Sequence, residues 1–371
     1  MAFICGNNTL ANREDAMNTS SSIAVIADGH SIDAIHGGQI ATFVCDSIIH
    51  KLSTDCTTHD PEQWYETMPH LFQQIHDTYL EKLQLSGVTV HNGIPMKDGV
   101  QFSGGTTATC AVFGNIGNRA YIMTANVGDS AAFLFVKKNG TYTWKQLTTT
   151  HNPTSYEEYR RIQKRRELAG HCIYETKGAT TLSGYLPIFA PDGTTIRYKD
   201  TFKAVEKAHN LYHNARNAYV ASEDHDKDVT KHIAMIAYHD YISAKKEYES
   251  SLDGRRIVST ARNDRASYLM SDIINVKISI TRSIGDYAET LVGVTCEPSV
   301  HITWLDQEDL GDHAVFFMAT DGILDCYSFE DLAEVVLDSD PQTIISQTMQ
   351  RSLELFNGNP DDMTFIMRTI S

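Results

Sequence analysis

The chain has 371 residues, 42% of them hydrophobic and 21% charged, enough apolar material for a sizeable core at an ordinary charge density. Its formal net charge of −16 at pH 7 argues against nucleic acid or anionic lipid as a partner, since both require basic surface. Seven cysteines without a C-x-x-C pair exclude a zinc ribbon, a redox motif and a disulfide framework, and point to reduced thiols in a cytoplasmic or nuclear setting.

In chain order, residues 22–28 (S-I-A-V-I-A-D) read as a buried strand. Two helices follow. The first, 39–52, repeats apolar residues at Ile40, Phe43, Val44, Ile48 and Leu52, and the second, 64–83, at Met68, Leu71, Phe72, Ile75, Tyr79 and Leu83. A strand at 108–113 is introduced by S-G-G-T-T, strands 119–126 and 130–136 are expected to pair around V-G-D-S, and Asn139-Gly140 marks a hairpin turn. Residues 195–252 read as an inserted helical hairpin with charged outer faces. One inner stripe is Phe202, Val205, Ala208, Leu211 or Tyr212, Ala215 and Ala218. The other is Val229, Ile233, Ile236 or Ala237, Tyr241, Ala244 and Tyr248. Strands are expected at 275–280, 291–295, 300–304 and 314–320, helices near 328–337 and 341–357, and a last strand at 363–370. Many strands with helices inserted between them suggest an α+β protein in which antiparallel sheets pack between helices. The N-terminus lacks a basic n-region and no stretch approaches ~20 apolar residues, so neither a signal peptide nor a membrane span is expected.

Five acidic residues sit in short distinctive frames: Glu14 and Asp15 in R-E-D-A, Asp28 in A-V-I-A-D-G-H, Asp321 in F-F-M-A-T-D-G-I-L-D and Asp361 in N-P-D-D-M-T-F-I-M. Three of these frames put an Asp at the end of a buried strand, where an unpaired carboxylate is costly. Carboxylates that converge repel one another unless a cation lies between them, and hard divalent ions prefer oxygen ligands. The pattern points to a metal centre. Of the sixteen histidines, His30 and His36 come nearest to a pair beside a carboxylate, but no third ligand stands at a zinc spacing. No G-x-x-x-x-G-K-[ST] or H-E-x-x-H occurs, which removes nucleotide loops and zincins.

Further frames follow the same order along the chain. They are Asp28-Gly29-His30 with Gly37-Gly38, Ser103-Gly104-Gly105-Thr106, Ala125-Asn126-Val127-Gly128-Asp129-Ser130, Leu147-Thr148 with His151-Asn152-Pro153, Thr281-Arg282-Ser283-Ile284-Gly285-Asp286, Thr320 to Asp325, and Asp361-Asp362-Met363-Thr364. Together with Glu14-Asp15-Ala16 this series resembles the metal-dependent, type 2C (PPM) serine/threonine protein phosphatases. The resemblance implies a single domain over 1–371, built as a two-sheet antiparallel β-sandwich flanked by helix pairs. It implies two Mn²⁺ or Mg²⁺ ions and hydrolysis of phosphoserine and phosphothreonine in a phosphorylated protein by a water held between the ions. Asp28 would bridge the ions, Asp321 and Asp361 complete one side, and Glu14 through water and the Gly29 carbonyl complete the other. Asp15 would orient bound water, and His30 would be the general acid. Gly105-Thr106 and Gly128-Asp129-Ser130 are expected to shape turns, and Arg282 to pair with Asp286.

Three positions depart from the family pattern. Leu10 stands where the family has a phosphate-binding Arg, with Arg13 close by. Thr150 replaces an Asp that in many members holds a third ion together with the residue here at Asp325. Asp362 replaces an Asn and adds negative charge. Leu10 and Thr150 keep open a second reading, a catalytically weak relative that binds metal and phosphoprotein as a regulator. The stretch between Arg161-Ile162 and Ile280 is longer than the family's flap, so the insertion is expected to set substrate choice or gate the cleft.

Overall fold

The computed structural model describes residues 2–8, 14–31, 34–55, 60–153, 155–164, 172–176, 200–222, 226–250, 267–271, 276–355 and 361–370. They fall into two compact units, Met1–Asn152 with Ile280–Ser371, and Pro153–Ser279. The first unit begins with β1 Ile4–Asn8, β2 Asp15–Thr19, β3 Ile23–Ser31, α1 Ala34–Asp55 and α2 Trp64–Leu85. A small meander follows, β4 Thr89–His91, β5 Ile94–Lys97 and β6 Val100–Gln101, then β7 Gly104–Thr106, β8 Ala108–Ile116, β9 Arg119–Val127, β10 Ala131–Lys138 and β11 Thr141–Gln146. The second unit contains α3 Tyr156–Lys164, β12 Cys172–Thr176, α4 Asp200–Ala221, α5 Lys227–Ser250, β13 Ser267–Ser271 and β14 Val276–Ile278. The chain then completes the first unit with β15 Ile284–Gly285, β16 Ser299–Leu305, β17 His313–Ala319, α6 Asp321–Leu324, α7 Phe329–Asp338, α8 Pro341–Leu355 and β18 Met363–Ile370.

In the first unit one sheet runs β1-β18-β17-β10-β11, and the other runs β15-β7-β3-β8-β9-β16 with β2 added on β3. The named strand pairs in both are antiparallel. Side-chain alternation explains why the sheets stack and why each is also covered by helices. Ile23, Val25 and Ala27 of β3 join a core with Ile40, Val44 and Ile48 of α1 and Trp64, Met68 and Phe72 of α2. Ala24 and Ile26, on the opposite face, meet Leu134, Phe316, Met318 and Ile366 between the two sheets. Phe133, Phe135, Phe317 and Phe365 face outward from that second sheet, onto Leu332, Val336 and Ile344 of α7 and α8. The result is the expected α+β sandwich, with antiparallel sheets flanked by helix pairs.

Two expectations fail here. Strands β9 and β10 do not pair with each other: β9 lies between β8 and β16, and β10 between β11 and β17. Gly128, at φ 96°, turns the chain from one sheet to the other, and a Cβ there would lie 2.5 Å from Thr107 Cγ2. A V-G-D-S turn reads locally like a hairpin, because hydrophobic period alone carries no sheet assignment. The strand expected at 291–295 is instead a 3₁₀ turn, Glu289–Val292, closed by Gly293 at φ 104°, with Thr295 alone bridging to Arg282. Asn139 and Gly140, at φ 51° and 74°, do make the β10–β11 hairpin.

In the second unit β12, β13 and β14 form a small antiparallel sheet, and α4 and α5 form the expected helical hairpin. The buried edge of α5 runs through Ala234 and Tyr241, with Ala237 and Ala244 half-buried, whereas Val229, Ile233 and Ile236 are exposed. Alanines let the helix axes approach, and Tyr241 then stacks on Tyr212 at 6.1 Å and against His209 at 5.3 Å. Of the paired alternatives, Tyr212 and Ala237 occupy the seam and Leu211 and Ile236 do not, while Ala218 is exposed. The side chains of Phe202, Val205 and Tyr248 lie outside the described residues. No helix among the described residues is long and apolar enough to cross a membrane.

This register makes a prediction that chemical denaturation checks. Ile233→Ala, at an exposed site, should change stability by no more than about 0.5 kcal/mol. Phe317→Ala, at a fully buried site, should cost about 3–5 kcal/mol. A large loss at Ile233 would contradict the seam.

Candidate metal centre

The carboxylates predicted from sequence gather at one end of the sandwich because their strands end there. Asp15 opens β2 and lies directly opposite Asp28 in the β2–β3 register. The Gly29 N–H donates to the Glu14 carbonyl at 3.1 Å, which ties Glu14 to the same hairpin. Gly29 has to lack a side chain, since a Cβ there would sit 2.1 Å from the Gly37 carbonyl oxygen. Asp28 is held by the chain entering β8. Its N–H donates to Thr107 Oγ1 at 2.9 Å, and its carbonyl accepts from Thr107 N–H at 2.8 Å and Thr106 Oγ1 at 2.9 Å.

Asp321 follows the buried strand β17, and Asp325 lies one turn later, its N–H donating to the Asp321 carbonyl at 2.8 Å. Asp361 and Asp362 precede β18. Asp362, expected to add negative charge, also acts as a clasp: it is 3% exposed, and its Oδ2 accepts the Glu14 N–H at 2.8 Å. Thr320 Oγ1 donates to Asp15 Oδ2 at 2.9 Å. A Cβ at Gly322 would lie 2.0 Å from the Asp362 carbonyl oxygen, so this glycine lets α6 abut the start of β18.

Crowding sets the electrostatics. Burial, then the charges of Asp321 and Asp15, push the Asp28 carboxyl well above the usual range, with Asp361 adding to the shift. Burial pushes Asp15 up to about 7; the Thr364 and Thr320 hydroxyls oppose the rise, and Asp321 and Asp362 add to it. Asp361 is pushed up to about 6 by burial and by Asp321, and Asp321 is raised by burial and by Asp325. Each is a carboxylate that desolvation and like charge disfavour in its ionised form. Asp15 Oδ1, Asp321 Oδ1 and Asp362 Oδ1 are buried with no hydrogen-bond partner. A donor set made of carboxylate oxygens, some of them orphaned, fits a hard divalent ion and not zinc. Among the described residues, no three His, Cys, Asp or Glu side chains already stand grouped as a metal site.

Asp129, read from sequence as a turn former, lies among the same charges. Its carboxyl is raised well above the usual range by burial and by Asp321 and Asp325, and His30 opposes that shift. Only its place in V-G-D-S could have flagged it. The ion pair expected between Arg282 and Asp286 does not form. Asp286 Oδ2 lies 2.6 Å from His30 Nε2, and Arg282 Nη1 donates to the Glu297 carbonyl at 2.9 Å. Thr150 Oγ1 accepts from Gln146 Nε2 at 3.1 Å, and His36 packs edge-on against Phe102. Leu10 and Arg13 lie outside the described residues.

The protein phosphatase 2C family model matches residues 3–172 and 255–354, more than half of the chain. The chain belongs to the protein phosphatase 2C family. Residues 173–254, which carry the helical hairpin, fall outside the match to protein phosphatase 2C. No curated protein sequence matches the chain. Among solved structures, the serine-threonine phosphatase 2C of Toxoplasma gondii has 13% identity and a TM-score of 0.55, over 100% of this chain and 94% of that one, a likeness of fold. The catalytic domain of the phosphatase PstP, solved with two manganese ions, has 12% identity and a TM-score of 0.48, over 100% and 98% of the chains. The phosphatase Stp1 of Staphylococcus aureus has 15% identity and a TM-score of 0.46, over 100% and 94%. Membership of protein phosphatase 2C supports phosphatase activity at the level of the family.

If the carboxylates repel one another, Asp321→Asn should raise the melting temperature measured in chelator by about 2–4 °C for each kcal/mol of repulsion relieved. A fall in melting temperature would show that the Asp321 charge is locally favourable instead.

Proposed function

We propose that the chain is a Mn²⁺- or Mg²⁺-dependent protein serine/threonine phosphatase acting on phosphorylated proteins. One observation carries the reading: Asp15, Asp28, Asp321 and Asp361, from three separate parts of the chain, press their charges on one another at the end of one sandwich. Asp28, Asp321, Asp361 and the Gly29 carbonyl would hold the ions, with Glu14 acting through water, Asp15 orienting bound water, and Asp325 beside Asp129 at the outer edge. When bound, the ions supply Lewis acidity, lowering the pKa of water and neutralising phosphoryl charge.

The chain's own residues do the rest. The Thr106 and Thr107 contacts fix the Asp28 backbone at the end of its strand. Asp362 and Gly322 lock the Glu14 and Asp361 segments to α6. His30 gives a proton to the serine or threonine oxygen as the ester bond breaks. The Thr150 hydroxyl is engaged by Gln146, where many relatives have an Asp beside the third ion. That engagement favours a second reading, a catalytically weak relative that binds metal and phosphoprotein as a regulator.

Phosphate release from a phosphothreonine peptide separates the two. The enzyme should turn over with Mn²⁺ or Mg²⁺, stop in chelator, and lose at least about 10²-fold in Asp321→Ala. Absence of turnover by a wild type that still binds Mn²⁺ would favour the regulator.

A further inference from the structure

Asp286 carries a set of features that the metal centre does not require. It is a non-glycine residue at φ 46°, in the left-handed region, next to Gly285 at φ 91°. Such a conformation costs of order 1–3 kcal/mol and persists where the surroundings over-determine it. Its N–H donates to the Gly104 carbonyl at 2.9 Å, and its side chain is 1% exposed against 36% for its partner His30. His30, Gly105 and Gly285 lie in one row across β3, β7 and β15. The middle residue of that row has no side chain, and a Cβ at Gly105 would fall 2.2 Å from Asp286 Oδ2. Strained backbone, a gap in the row and a buried carboxylate all serve one contact, Asp286 Oδ2 with His30 Nε2 at 2.6 Å. Glu289 lies nearby and its charge acts on both Asp286 and His30, but its Oε1 accepts from Ser103 Oγ at 3.3 Å and the hydrogen bond to the ring is made by Asp286.

We propose that Asp286 is the positioning residue for His30: by accepting the Nε2–H it fixes the imidazole, so that Nδ1 carries the proton given to the leaving oxygen. The inference rests on the phosphatase reading above. In the step, the P–O bond to the serine or threonine oxygen breaks and its electron pair stays on that oxygen, which takes the Nδ1 proton. A water oxygen forms the new P–O bond and releases one proton to solvent. His30 is left neutral with hydrogen on Nε2 and is reprotonated at Nδ1 from water. Removing the carboxylate leaves the ring free to turn or to hold the other tautomer.

A comparison of leaving groups tests this. p-Nitrophenolate departs without a proton, whereas phenolate and the threonine alkoxide need one. Asp286→Asn offers an amide that donates as well as accepts, so it should lower kcat on phenyl phosphate and a phosphothreonine peptide by about 10²-fold. The loss on p-nitrophenyl phosphate should stay within about threefold, with KM little changed. His30→Gln should show the same split, and the double variant should be no worse than either single one, as for residues acting as a unit. Equal losses on all three substrates, or additive losses in the double variant, would overturn the proposal. Glu289→Gln, which touches neither ring nitrogen, should leave the leaving-group dependence unchanged.

Should Asp286→Asn not fold, the imidazole ¹⁵N shifts of wild-type His30 decide. Neutral His30 should hold its hydrogen on Nε2, and an Nδ1–H tautomer would overturn the assignment. A wild type that turns over none of the substrates would defeat the phosphatase reading, and the tautomer would still report on Asp286.

Discussion

Repulsion among carboxylates is the constraint on which the rest of the first unit depends. Glu14 and Asp362 are 348 residues apart in sequence, yet their segments are joined by a direct hydrogen bond, and Thr320 reaches Asp15 across 305 residues. Holding like charges together costs stability, and the surrounding structure opposes that cost with many small devices. Threonine hydroxyls clamp the Asp28 backbone, glycines at 29 and 322 let backbones touch, and Asp362 accepts a backbone N–H from the opposite end of the chain. A rigid, stacked sandwich supplies the stiffness. Three layers of apolar contact fix β3, β17 and β18, the strands whose ends carry the acidic residues.

Unusual backbone conformation and buried charge sit together in the same few turns. The loop after β15 keeps Asp286 in a conformation most residues avoid, and Gly105 of β7 leaves room for its carboxylate. The switch between sheets at Gly128 carries Asp129 to the carboxylate cluster. Each of these is a local departure from regular backbone, and each delivers a charged group to one end of the sandwich, which is where functional strain concentrates.

Much of this was legible in the sequence. Period-two alternation in β3 and period-3.6 spacing in α1 and α2 reflect burial on defined faces, so the elements and their inner residues could be read directly. The acidic frames were legible for the same reason, since a charge at the end of an apolar run is hard to explain otherwise. Less visible was anything decided by long-range geometry. The partner of a strand is set by the sheet it joins, so β9 and β10 looked like a hairpin. The Asp286 partner is set by the β3–β7–β15 register, so a nearby Arg282 looked more natural than His30. In α5, stacking of Tyr241 on Tyr212 outweighs the greater hydrophobicity of Val229 and Ile233, which no propensity scale records.

The central claim is that the gathered carboxylates form a cation site. Titration of the purified, chelator-treated protein with Mn²⁺, followed by electron paramagnetic resonance of the free ion, tests it directly. The account predicts saturable uptake of two ions per chain that Asp28→Asn removes. Uptake no greater than that of the Asp28→Asn variant would contradict it.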